Sequence, residues 1–372
     1  MNLATTSLGE IAEVAAGGGA PQNADAFTAE GTPFIRAGSL NPLVNGASES
    51  TLEHLTDEVA KEHGLRKFPR DTVVFAKSGM SATKGHVYRL RDEAFVVNHL
   101  AAIVPTQRVV PEFLEHSLRV FSPVRLIQDA AYPSVRLSDV ATMRIPLPPL
   151  AEQRRIAEVL DRAEALRAKR RAALAQLDSL TQSLFLDLFG DPISNSRKWP
   201  QENLETFFHF RTGKLDSNAA VALGQYPFFT CSREDFRIDT FAFDCEALLL
   251  AGNNANADYS VKHYRGKFNA YQRTYVITLR DERNSYNYSR FVLEHRLGDL
   301  KRMSKGTGTK YLTMELLNQI RVPIPPISLQ REFALRVTAA EALKTVQRAS
   351  LAELDALFAT LQYRAFRGEL FA

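Results

Sequence analysis

Three clusters of side chains have the chemistry to hold a polyanion and to read the edges of bases. Lys77, Ser78, Lys84 and His86 lie close together. Lys262, His263, Arg265, Lys267, Tyr271, Gln272 and Arg273 mix basic, amide and aromatic groups, and Lys301, Arg302, Lys305 and Lys310 surround a glycine-bearing stretch that includes Gly306, Thr307 and Gly308. Arginine and lysine suit phosphate oxygens and guanine edges, glutamine suits adenine, and glycine lets a backbone approach closely. Taken singly, each cluster also fits an ordinary solvated loop.

Other chemistries lack their residues. No G-x-x-x-x-G-K-[ST] run is present, and 305–310 resembles one only superficially, which argues against an NTPase. The eight histidines are scattered and no H-E-x-x-H occurs. Ser78-Gly79 stands outside any G-x-S-x-G elbow, and Asp191-Pro192-Ile193 reads as a turn. Cys231 and Cys245 are expected to be reduced packing residues, with no disulfide framework and no metal. No catalytic set is found. No apolar run approaches the ~18 residues of a membrane span, and the start MNLATTSLGEIAEV has no leader-like pattern, so a cytoplasmic location is expected.

The net charge is +4 and the pI about 9.0. It is unevenly placed: 1–144 holds 14 basic against 16 acidic side chains, whereas 197–321 holds 19 against 14. Salt-dependent binding to a polyanion would therefore be dominated by the second segment.

Two globular segments must position these groups. In the first, strands are expected at 32–36, 72–76 and 87–90, the last two forming a hairpin with a basic tip; an apolar run at 95–104 is broken by Asn98-His99, and 111–121 reads as a helix. In the second, 226–230, 247–252, 268–273 and a helix at 288–300 follow the same plan. Each segment leads into one repeated sentence. Pro146, Pro148, Pro149, Gln153 and Arg154 align without a gap on Pro323, Pro325, Pro326, Gln330 and Arg331.

After the prolines, a helix of ~40 residues is expected from Leu150 to near Gly190, a rod of about 60 Å. Val159, Ala163, Leu166, Arg170, Ala173, Leu177, Leu180 and Leu184 alternate steps of four and three, the spacing of a coiled-coil seam. The second copy runs through Ala340, Leu343, Gln347, Ser350, Leu354, Leu357 and Leu361. The expected core of the pair is Leu166, Leu177, Leu180, Leu184, Leu343, Leu354, Leu357 and Leu361. These patterns give an α+β chain of mixed α/β segments at 1–143 and 196–320 and helical regions at 144–195 and 321–372, with the helices packed as an antiparallel intramolecular coiled coil.

The duplicated I/V-P-L/I-P-P-x-x-x-Q-R followed by a long Ala/Leu/Glu helix resembles the specificity subunit of type I restriction-modification enzymes, over essentially the whole chain. The stretch Phe268 to Arg273 followed by Thr274-Tyr275-Val276 looks like a common recognition-domain core. The second copy departs modestly, with Phe333 where the first has Ile156 and Arg367-Gly368-Glu369 near its end. The resemblance implies a non-catalytic subunit in which two target recognition domains each read half of a bipartite, asymmetric site in double-stranded DNA. It implies two methyltransferase subunits that bind S-adenosylmethionine and methylate adenine, docked on this chain, and restriction subunits using ATP and Mg where present. The chain itself would carry no cofactor. Two other classes compete: a coiled-coil adaptor whose globular modules bind proteins, and an enzyme without recognisable motifs. A footprint without sequence preference would favour the first, and S-adenosylmethionine binding by the isolated chain the second.

Overall fold

Each long helix begins where a short strand ends. Arg144–Pro146 pairs antiparallel with Thr5–Ser7, and Arg321–Pro323 pairs in the same way with Gln201–Asn203. The prolines that follow cannot extend a ladder but suit a first helical turn. Helices then run over Leu150–Phe189 and Ile327–Phe366, 40 residues each. This computed structural model describes residues 3–254, 257–281, 283–306 and 309–371.

The chain divides into two units, Met1–Arg171 with Ser350–Ala372, and Ala172–Ala349. Both long helices run from one unit into the other. In the first unit, Ala12–Ala16, Leu100–Pro105, Val73–Ala76 and Val87–Arg89 form an antiparallel sheet in that order. The expected hairpin of 72–76 and 87–90 is present in it. A second sheet carries Thr32–Ile35 parallel to Ala94–Val96. In the second unit one six-stranded sheet serves for both, because Val261–Ala270 is long enough to pair with Phe243–Ala251 at one end and Tyr226–Phe229 at the other.

Within each unit the helix segments are antiparallel. In the first, Arg167 Nε donates to Asp355 at 2.6 Å and its guanidinium lies over Phe358. Ile156, Leu160, Phe358 and Phe366 join one core with Phe113 and Leu114 of the helix Pro111–Val120. In the second, Lys344 pairs with Asp178 at 2.6 Å, and Phe185 and Phe189 meet Phe333 at 5.6 and 5.3 Å between ring centroids.

The expected seam is half displaced. Leu177, Leu184, Leu354 and Leu361 are half-buried, but Leu166, Leu180, Leu343 and Leu357 are 50, 60, 54 and 49% exposed. The buried line instead runs through Leu160, Ala163, Arg167, Arg170, Leu174, Leu177, Thr181 and Leu184, and through Phe333, Val337, Ala340, Lys344, Gln347, Leu351, Leu354, Phe358 and Leu361. Alternate positions have moved by one residue, about 100° around a helix of 3.6 residues per turn. The cause is the length of Arg167 and Lys344. Their stems fill the seam while their charges reach Asp355 and Asp178 beside it. The displaced leucines form a second, exposed stripe on each helix.

The repeated glutamines explain why the motif recurs. Gln153 is buried, accepts the Val110 N–H at 2.8 Å, and donates to Pro148 O at 2.9 Å and Arg108 O at 3.3 Å. Gln330 is buried too; it accepts the Ser285 N–H at 2.9 Å and donates to Pro325 O, Arg283 O and Asn284 Oδ1. Val110 and Ser285 are the N-caps of the helices Pro111–Val120 and Tyr286–Met303. Each glutamine therefore ties the first turn of a long helix to the helix start of the globular fold beside it.

Candidate nucleic-acid interface

The same backbone junction occurs in both units. In the first, the Leu100 N–H donates to Val97 O at 2.9 Å, closing a β-turn whose central residues are Asn98 and His99. The Lys77 N–H donates to His99 O at 2.9 Å, the Asn98 N–H to Gly18 O at 2.7 Å, and the Val135 N–H to Lys77 O at 2.8 Å. In the second, the Thr274 N–H donates to Tyr271 O at 2.8 Å around Gln272 and Arg273, and the Gly252 N–H donates to Arg273 O at 2.8 Å. The Gln272 N–H donates to Leu215 O at 2.9 Å and the Leu312 N–H to Gly252 O at 2.8 Å. Glycine is required beneath both turns. A Cβ on Gly17 would lie 1.9 Å from Val96 O, and one on Gly213 1.7 Å from Ala270 O.

The side chains of each turn are exposed. Ser78, bridged to Ser134, hydrogen-bonds His99 Nδ1 through its Oγ at 2.7 Å. In the second unit Asn253 pairs with Tyr311 at the equivalent place, beside a groove of about 540 Å³ lined by Thr212, Asn253, Gln272, Arg273, Tyr275 and Tyr311.

The structure sorts the residues singled out from the sequence. Lys77 and Ser78 belong to the first junction; Lys84 ends the short helical turn Met80–Lys84, and His86 lines a small cavity together with Pro123 and Val124. Tyr271, Gln272 and Arg273 belong to the second. Lys305 and Lys310 flank it, since the Lys305 backbone pairs with Tyr311 and Lys310 pairs with Asn254. Lys305 also reaches Glu315 at 3.5 Å. Thr307 and Gly308 lie outside the described residues.

Lys262 and Arg265 are elsewhere. Lys262 is held by Asp235 at 3.2 Å and Glu234 O at 3.1 Å, and Arg265 stands opposite Glu246 well down the strand. Asn98, His99, Ser134, Asn253 and Tyr311 were not singled out by sequence reasoning. The available signal was the polar break at Asn98-His99 inside an apolar run. Among the described residues no group of three or more His, Cys, Asp or Glu side chains could hold a metal, and no helix is long and apolar enough to cross a membrane.

The type I restriction modification DNA specificity domain matches residues 2–176 and again 197–355. The chain is 39% identical over 136 residues to the type I restriction enzyme EcoDI specificity subunit of Escherichia coli, covering 37% of this chain and 30% of that protein. It is 26% identical over 145 residues to the MjaIX specificity subunit of Methanocaldococcus jannaschii, covering 38% and 33%. These alignments thus span about a third of each relative. The S subunit of a type I restriction-modification system from M. genitalium has the same fold, with a TM-score of 0.68 at 15% identity over 98% of this chain and 96% of that one. A second solved structure, from work on assembly and conformational transition of the type I system, has a TM-score of 0.52 at 18% identity, covering 99% and 98%. With two matched segments spanning most of its length, the chain belongs to the type I restriction modification DNA specificity domain family.

Proposed function

We propose that this chain is the DNA sequence-recognition subunit of a type I restriction-modification complex. Each globular part reads one half of a bipartite, asymmetric site in double-stranded DNA. The long helices, each continuous from one unit into the other, set the separation of the halves. One observation carries this reading: the same exposed, rigidly bonded junction recurs on two folds joined by two unbroken 40-residue helices. The chain is not itself an enzyme. Two methyltransferase subunits supply S-adenosylmethionine-dependent adenine methylation, and restriction subunits, where they join, supply ATP- and Mg-dependent cleavage, all in the cytoplasm and away from membranes.

Exposed Leu166 and Leu180 on one helix, with half-buried Val159 and Ala173 along the same face, and exposed Leu343 and Leu357 on the other, support docking of those subunits. Contiguous exposed apolar surface of that kind marks association sites.

Mapping methylated bases in a host that expresses this chain with its methyltransferase tests the reading. Insertion of one heptad into each long helix, after Arg171 and after Ala349, lengthens both by ~10 Å at ~1.5 Å per residue. The spacer between half-sites should grow by about three base pairs at ~3.4 Å each, with both half-sites unchanged. An unchanged spacer, or altered half-site bases, would refute the role of the helices.

A further inference from the structure

We propose that the turn-centre pairs Asn98–His99 and Gln272–Arg273 are the principal specificity-determining residues of the two units, an inference that rests on the DNA-reading function proposed above. Four equivalent backbone hydrogen bonds hold each pair in place, so the two positions are rigid while their side chains point to solvent. Among the described residues, the side chains of Asn98, Gln272 and Arg273 make no hydrogen bond or ion pair. A turn so heavily anchored and so little engaged presents its polar groups to something outside the chain.

The residue types say what that is. Arginine reaches guanine O6 and N7 in a fork, whereas glutamine and asparagine satisfy adenine N7 and N6. Gln272–Arg273 thus fits neighbouring adenine and guanine edges in the major groove. Asn98 fits adenine. The Ser78 hydroxyl occupies Nδ1 of His99, which leaves Nε2 as the contact, and Ser78 acts as a positioning residue.

Two of the other basic side chains are already engaged. Lys262 is bound to Asp235 and Glu234, and Lys305 to Glu315. The junctions differ where the bases are read and agree where the backbone is held. Such a pair of turns could change what each half-site is without changing how either unit folds.

The test selects a randomised DNA duplex with the full chain in complex with its methyltransferase subunits, for the wild type and for Gln272→Ala, Arg273→Ala, Asn98→Ala, His99→Ala and Ser78→Ala. The wild type should enrich a two-part consensus. Gln272→Ala, Arg273→Ala and Asn98→Ala should each lose about 5- to 150-fold of the preference at one base pair, the range for one bidentate contact, and His99→Ala, which removes a single Nε2 contact, about 2- to 10-fold. The loss should be confined to one half-site, with melting temperature unchanged. Gln272→Ala and Arg273→Ala should affect adjacent base pairs of one half, Asn98→Ala and His99→Ala those of the other, and Ser78→Ala should weaken the His99 position alone. Variants that keep the wild-type consensus in both halves overturn this inference and leave the DNA-reading function standing. A wild-type complex that enriches no consensus overturns both.

Discussion

Replacing Gln330 with leucine isolates what the repeated motif does. The side chain is fully buried; it accepts the Ser285 N–H, and its two N–H donors are shared among the oxygens of Pro325, Arg283 and Asn284. Leucine fills much the same volume but bonds none of them. An orphaned buried N–H costs about 1–3 kcal/mol, and each carbonyl oxygen loses less because it has a second lone pair. The net loss should be about 2–4 kcal/mol after the gain of a buried apolar group. For a unit of this size each kcal/mol lowers the melting temperature by about 2–4 °C. Thermal unfolding followed by circular dichroism should therefore show a fall on the order of 5–15 °C, while the exposed neighbour variant Ser328→Ala stays within about 0.5 kcal/mol of wild type. Gln330→Glu adds a pH signature. Its carboxylate would face three oxygens that need donors, so its folded pKa would rise above the unfolded value. Its deficit should then be smallest below the unfolded value near pH 4 and grow as pH rises from there through the higher folded value. A Gln330→Leu protein that melts within 2 °C of wild type would sink the argument.

Two further predictions concern the helices. Lys344→Met removes an ammonium from a seam position 4% exposed, and its partners Asp178 and Glu341 can turn to water. Stability should be unchanged or higher by about 1 kcal/mol, since an apolar replacement of a buried ion pair is often neutral or favourable; urea titration showing a loss above about 2 kcal/mol would contradict the seam described here. In the first unit His116 Nε2 meets Asp161 Oδ1 at 2.8 Å. Burial alone would raise the Asp161 carboxyl, but the hydrogen bond and charge of His116 outweigh it and hold it below the usual carboxylate range. Its contribution is therefore complete above the unfolded value near pH 4 and lost as pH falls through the lower folded value. Asp161→Asn should flatten that acid limb in urea titrations across pH, and an acid limb identical to wild type would show that the pair contributes nothing.

The long helices were legible because their causes are local. Prolines at 146–149 and 323–326 and an uninterrupted run of helix formers set the start and the length. The face they bury was not local. Leucines at a seven-residue spacing fit either of two neighbouring stripes, and the choice depends on Arg167 meeting Asp355, 188 residues away in sequence. A pattern that counts only apolar residues excludes Arg167 and Lys344 from a core, although their stems belong to it.

The candidate interface divides in the same way. Arg273 and Gln272 stood out by type. Lys262 did also, yet its charge is spent on Asp235. Asn98 and His99 carry no strong charge signal, and only the hydrogen bonds from Lys77 and to Gly18 place them where Arg273 and Gln272 sit. Two copies within one chain permit a comparison that a single domain would not. Positions that stay alike, such as Gln153 and Gln330 or Gly17 and Gly213, each have a bond or a steric limit that demands the residue. Positions 98–99 and 272–273 share a backbone and differ in every side chain. Beyond the Ser78–His99 hydrogen bond the fold asks nothing specific of those side chains, and under the function proposed above their identities are set by the DNA each half reads.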